Sequence, residues 1–382
     1  MRVWLIEPYF TGSHRLWAEG YAAASAHDVR LLTMTGQFWK WRMLGGAVEL
    51  ARQALSLAEQ QGPPDVILAS DMLNLPAFQS LTRDVLAEVP VVMYFHENQL
   101  TYPLPPGQKR ELAYGMINWL SALAADEIWF NSRYHMNQFF AEVPRLIKHF
   151  PDYWHLELVD EVASRARVMP VGCQLRQLDL YRPELQAEDG PPVILWNQRW
   201  EYDKCPEMFF DLLRAAEARG VSFRVIVAGE NYRQSPHEFE EARRWLGDRI
   251  LHWGYAEDRA TYARLLWQAD IVVSTARHEF FGVAIVEATY CGCWPLLPRG
   301  RSYPELIPRS WHHAVLYVGF DQAVDMLVEM LRRKGEAPPL RDAMAAFDWA
   351  NLAPRYDACL SLVAEAGIQS AIRLGGGSRD YE

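Results

Sequence analysis

The stretch DIVVSTARHEFFGVAIVEATYCGCWPLLP, residues 270–298, reads as one complete strand–loop–helix–strand unit. DIVVST (270–275) and CWPLLP (293–298) are short, apolar and bounded by turn residues, as buried strands are. Between them a helix is expected to start near Phe281–Gly282. A helix linking two such strands implies parallel pairing through a right-handed crossover. Two carboxylates, Glu279 and Glu287, stand eight positions apart in this run. A buried carboxylate without a partner costs several kcal/mol. The neighbouring sequence offers no partner, so a ligand is expected to supply one. Eight helical residues rise about 12 Å, roughly the span from a hexose to a ribose across a diphosphate. The two carboxylates could then accept hydroxyl groups at the two ends of one sugar nucleotide, with Phe281, Gly282 and Val283 offering free amides to its phosphates.

Outward from this unit the same alternation repeats. Strand-like runs fall at 193–197, 223–229 and 249–254 and, in the first half, at 2–7, 29–34, 65–70, 91–95, 127–131 and 167–171. Helical patterns such as AVELARQALSLAEQQ and PEMFFDLLRAAEARG lie between them. The polar stretch QAEDGPP (186–192) interrupts the pattern. The expected organisation is two doubly wound α/β domains, at 1–185 and 193–345. A linker at 186–192 joins them; a helical segment at 346–373 and a loose tail at 374–382 follow.

Composition narrows the functional classes. The 382-residue chain is half hydrophobic, with a net charge of −10, which disfavours a non-specific nucleic-acid binder. Five cysteines do not make a disulfide scaffold and have no zinc-like spacing, so buried thiols and no metal are expected. MRVWLIEPYF is too short an apolar start for a signal peptide, and no run of eighteen apolar residues occurs. These features lead us to expect a soluble, cytoplasmic protein.

In open α/β sheets ligands gather at the carboxyl ends of strands. Gly12 and Ser13 follow the first strand; His96, Glu97, Asn98 and Gln99 follow the fourth; Asn131 and Ser132 follow the fifth, where Ser132 could equally cap a helix. Arg199 and Lys204 follow the first strand of the second domain and suit a diphosphate. Glu230 and Tyr255 follow the next two. QFWKWR interleaves Trp39 and Trp41 with Lys40 and Arg42, which suits a splayed RNA base and its phosphate or, equally, a packed Trp pair.

Glu-x7-Glu as EFFGVAIVE, after RWEYDK with its Arg-x4-Lys spacing, resembles the retaining GT-B glycosyltransferases. Those have two facing Rossmann-like domains with a cleft between, and need no metal. GSH after the first strand, FWKWR (38–42), FHENQLTYP (95–103), FNS (130–132), LHWGY (251–255) and the 277–298 stretch resemble, more closely, the tRNA-queuosine mannosyltransferase family. The resemblance implies a GDP-mannose donor and a queuosine acceptor in the tRNA anticodon loop. It implies that Glu279 contacts the donor hexose, Glu287 the ribose, Arg199 and Lys204 the diphosphate, and that His96 lies beside the reacting sugar. Other readings of the sequence are a transferase for a lipid or polysaccharide acceptor, a non-catalytic sugar-nucleotide binder, and a nucleotide-sugar epimerase.

Overall fold

The computed structural model describes residues 1–104, 107–184, 190–229 and 237–375. The chain forms two compact units: residues 1–172 with the C-terminal helix Trp349–Gly375, and residues 173–348. The division falls at Gly172/Cys173, ahead of the polar stretch 186–192, of which 186–189 lie outside the described residues.

The first unit is built on six parallel strands: β1 (Arg2–Phe10), β2 (Asp28–Thr35), β3 (Val66–Ser70), β4 (Val91–Phe95), β5 (Glu127–Phe130) and β6 (Ala166–Val168), in the order β2-β1-β3-β4-β5-β6. β3 and β4 are buried along their whole length. That explains their continuous apolar sequences, since helices cover both faces of such a sheet. Fully burying each large side chain here stabilises by about 1.5–3 kcal/mol. β6 ends at Val168 rather than at 171; Pro170 has no N–H with which to continue a ladder.

The second unit repeats the architecture with β7 (Val193–Trp196), β8 (Arg224–Ala228), β9 (Ile250–Gly254), β10 (Ile271–Val273), β11 (Trp294–Pro298) and β12 (Leu316–Tyr317), in the order β12-β11-β10-β7-β8-β9. β12 is two residues long, too short to carry a period in sequence.

The helix Trp349–Gly375 is not a separate segment but completes the first unit. Asp357 accepts hydrogen bonds from the Tyr21 hydroxyl at 2.7 Å, the Ser25 hydroxyl at 2.6 Å and the Ala26 amide at 2.8 Å. Tyr356 donates to the Pro170 carbonyl at 2.7 Å. Trp349 lies against Gly20 and Gly172, where any Cβ would overlap its indole. Glycine is therefore required at both positions by close approach. Among the described residues no helix is long and apolar enough to cross a membrane.

Candidate active site

Each sheet has a point where the strand order reverses, and ligand crevices open at the carboxyl ends there. In the second unit this point lies between β7 and β10. The loop after β7 carries Arg199 and Lys204; the loop after β10 carries Glu279 and leads to the helix Val283–Tyr290. Gly229, at the end of β8, has no room for a Cβ because the Gln198 carbonyl occupies its place. The adjacent strand ends are thereby held close together.

Lys204 is buried and donates to the His278 carbonyl at 3.0 Å and to Glu279 at 3.3 Å. Asp203 lies 3.1 Å away, within ion-pair range. Burial disfavours the ammonium charge, but Glu279 and Asp203 outweigh it and hold Lys204 above its ordinary pKa. Arg199 is more open and forms an ion pair with Glu201 at 3.3 Å.

Glu287 also has protein partners. Arg259 pairs with one oxygen at 2.8 Å and the Tyr262 hydroxyl donates to the other at 3.1 Å. The expectation that only a ligand would satisfy the two carboxylates is thus corrected. The partners are distant in sequence, in the helix Arg259–Gln268 and in the loop after β7. The helical span between the glutamates is corrected as well. The helix begins at Val283, so only the last four of the eight steps are helical, about 6 Å of rise. Gly282 caps it at φ 105°, a conformation that favours glycine. The amides of Val283 and Ala284 precede the first intrahelical bonds, which the amides of Ile285 and Val286 make to the Gly282 carbonyl. Phe281 is buried and Tyr255 is exposed. Glu230 lies outside the described residues.

In the first unit the order reverses between β1 and β3. A buried polar cluster gathers there that the sequence reading only partly found. His14 Nδ1 lies 3.0 Å from Glu7 Oε2. The His14 ring faces that of His96, with centroids 4.2 Å apart and planes tilted by 42°. Trp17 and Tyr94 complete the walls around His96, at 4.5 and 4.7 Å. Asp71, at the end of β3, is buried and accepts the His96 amide at 2.9 Å.

These groups set each other's charge. Burial opposes a proton on His14, but attraction and the hydrogen bond from Glu7, aided by Asp71 and Glu97, raise its pKa to about 9. Burial, the His14 charge and His135 hold His96 well below its ordinary value. At neutral pH a charged His14 therefore faces a neutral His96, whose Nε2 is buried with no hydrogen-bond partner among the described residues. Burial raises Asp71 well above the usual carboxylate range, with Glu97 adding to the effect. Glu7, His14 and His96 also form a set of three ligand atoms within 4.8 Å of one another, close enough for an ion to be considered.

The remaining candidates of this unit divide. Asn98 is wholly buried and accepts from the Leu100 and Thr101 amides at 3.0 and 2.9 Å. Asn131 donates to the His96 carbonyl at 2.8 Å and Ser132 caps the helix Arg133–Ile147. All three, expected from the sequence to lie at the acceptor, are engaged in hydrogen bonds within the unit. Glu97 is half-buried and accepts from Gln99 at 2.8 Å. Gly12 and Ser13 are exposed at the start of the helix Gly12–Ala24.

QFWKWR opens the helix Trp39–Gln61. Trp41 is 61% exposed and Phe38 73%. The Trp41 indole lies along the helix across Gly45, whose absent side chain leaves it room. Trp39 packs against Tyr114 at 5.1 Å, and Lys40 pairs with Glu111. Arg42 is buried and donates to the Thr35 carbonyl and hydroxyl at 3.0 and 2.9 Å. Arg42, expected from the sequence at a phosphate, thus ties this helix to β2.

Comparison with known proteins divides the chain at the same place. Residues 2–173 match a family model described as tRNA-queuosine alpha-mannosyltransferase N-terminal, and residues 179–345 match glycosyl transferases group 1. A tRNA-queuosine alpha-mannosyltransferase of Drosophila melanogaster is 33% identical over 313 residues, covering 80% of this chain and 81% of that one. A GDP-mannose:cellobiosyl-diphosphopolyprenol alpha-mannosyltransferase of Xanthomonas campestris is 28% identical over 202 residues, 50% of this chain and 52% of that one. Among solved structures, one described as trehalose-6-phosphate from E. coli bound with UDP-2-fluoro glucose has a TM-score of 0.65 at 11% identity, covering 94% of this chain and 99% of that one. The Anabaena protein HepE in complex with UDP has a TM-score of 0.58 at 17% identity, covering 98% and 100%. These likenesses show the GT-B fold.

Proposed function

The chain belongs to the tRNA-queuosine alpha-mannosyltransferase family, and from that premise we propose that it moves mannose from GDP-mannose onto queuosine in a tRNA anticodon loop, with retention at the sugar C1. One observation supports this reading: the family match extends through residues 2–173, and not only through the group 1 region at 179–345.

The reaction breaks the bond from C1 to the diphosphate and forms one to an acceptor hydroxyl. Negative charge grows on the leaving phosphate as the bond lengthens. Arg199, Lys204 and the amides at Val283 and Ala284 stabilise that charge, the largest catalytic contribution expected of such a site. Glu279, held by Lys204, accepts hexose hydroxyls. Glu287, held by Arg259 and Tyr262, accepts the ribose. No protein nucleophile is required: the acceptor attacks from the face the diphosphate leaves, and its proton passes to phosphate. The neutral His96 Nε2 supports a role in hydrogen bonding a sugar or acceptor hydroxyl. Exposed Trp41 and Phe38 suit stacking on an unpaired base.

Mass spectrometry of tRNA nucleosides after incubation with GDP-mannose tests the proposal. One hexose added only to queuosine-containing tRNA supports it. Unmodified queuosine with every common sugar nucleotide leaves the glycosyltransferase and removes this acceptor. A lipid-linked acceptor is the second reading, motivated by the apolar stripe Phe38, Trp41, Leu44 and Val48. Transfer to a polyprenol-linked sugar, with tRNA inert, would favour it.

A further inference from the structure

The first unit has a second concave feature, beside its edge strand β6 and separate from the His14–His96 cluster. A cavity of about 440 Å³ is lined by Arg133, Met136, Arg167, Arg355 and Cys359. Three guanidinium groups around one recess are unexpected in a chain of net charge −10. Each is placed by the fold. Arg133 is the first residue of the helix Arg133–Ile147, whose positive dipole end lies there. Arg355 donates to the Val168 carbonyl at 2.8 Å, which ties its head group to the end of β6. Arg167 pairs with Glu127 at 2.5 Å and reaches Cys359 Sγ at 3.4 Å.

β6 lies two strand positions from β4, whose last residue Phe95 is followed by His96. At about 4.8 Å per strand this is roughly 10 Å, short enough for one nucleic-acid strand to span. Planar guanidiniums match phosphate oxygens bidentately. A recess also suits one inserted phosphate better than a flat plane of lipid headgroups. We propose that this cavity binds a backbone phosphodiester of the tRNA acceptor, close to the nucleotide that reacts. The inference rests on the acceptor proposed above.

The cavity contains its own reporter. Cys359 is half-buried, whereas Cys173, Cys205, Cys291 and Cys293 are buried. In the full chain, tRNA is expected to slow iodoacetamide alkylation of Cys359 several-fold, and inorganic phosphate at equal phosphate concentration is not. Arg133→Ala is expected to weaken tRNA binding and to reduce the slope of log K against log salt by about 0.7–0.9, one phosphate contact. Arg133→Lys should retain the slope. Both variants should keep the wild-type nucleoside-diphosphate affinity, and Arg133→Lys the wild-type melting temperature. An unchanged slope in Arg133→Ala, or alkylation indifferent to tRNA, overturns the inference. So does equal protection by inorganic phosphate, which marks a small-anion site, or protection only by anionic vesicles, which marks a membrane surface. If wild-type protein mannosylates queuosine tRNA while Arg133→Ala keeps its slope, only this inference falls. If wild-type protein neither binds nor modifies tRNA, the acceptor proposal falls with it.

Discussion

Lys204 Nζ lies 3.3 Å from Glu279 Oε2, across seventy-five residues of sequence. The cation assigned to the diphosphate and the carboxylate assigned to the hexose are thus one electrostatic unit. A change at either must be read at both.

Lys204→Ala is expected to lower turnover at least 10²-fold, about 2.7 kcal/mol. It should also lower the melting temperature, because Asp203 and Glu279 lose their cation; breaking a buried pair costs about 3–5 kcal/mol. Adding Glu279→Gln should recover part of the stability and none of the turnover. Calorimetry with GDP, alongside thermal unfolding, separates the two effects. Full GDP affinity and turnover in Lys204→Ala would remove the residue from the donor site.

Arg259→Met should destabilise the second unit for a similar reason, leaving Glu287 with Tyr262 alone. Glu287→Gln keeps the shape and weakens the charge-assisted bonds to a ribose, so about tenfold weaker GDP binding is expected. Equal GDP affinity in Glu287→Gln and wild type would remove the ribose role.

The Glu7–His14 pair makes stability depend on pH. His14 titrates near 9 when folded against an ordinary 6.5. Its contribution is therefore fully present below about pH 6.5 and is lost as pH rises through about 9. A difference of this size corresponds to on the order of 3 kcal/mol. Urea unfolding between these limits should show the decline, and Glu7→Gln should flatten it. A pH-independent midpoint in the wild-type protein would dissociate the pair. Activity should survive EDTA; loss with rescue by a divalent ion would instead make Glu7, His14 and His96 metal ligands.

Trp41→Ala should leave the melting temperature nearly unchanged, because the indole is largely exposed. It should weaken tRNA binding by about 1–3 kcal/mol if the ring stacks on a base. Arg42→Ala should do the reverse, lowering stability through the lost Thr35 bonds and leaving the salt dependence of tRNA binding intact. Titration of tRNA at several salt concentrations, with thermal unfolding, distinguishes them.

The strands were legible because a parallel sheet buried on both faces writes each strand as an apolar run; VVMYF and VILW are examples. His96 stands directly after such a run, and Lys204 in the loop after another. By the same rule Asp71 stands directly after DVILAS, and His14 stands in GSH beside Gly12 and Ser13. Glu7 was hidden inside its strand. What local sequence cannot supply is pairing at a distance. Arg259 reaches Glu287 from another helix, and Arg42 resembles a surface cation until its helix is docked on β2. Trp41 shows the converse: its exposure depends on Gly45 leaving room along the helix.

The return of the helix Trp349–Gly375 to the first unit sets an order on synthesis. Trp349, Tyr356 and Asp357 leave the ribosome only after all of residues 173–348 have been made. Until then, Gly20 and Gly172 face no indole, and Tyr21 and Ser25 have no Asp357 carboxylate to bond. The inserted unit, contiguous in sequence, can fold as soon as it emerges. The nascent chain thus carries an unfinished first unit throughout the synthesis of residues 173–348, with the apolar seam beneath its last helix open to chaperones.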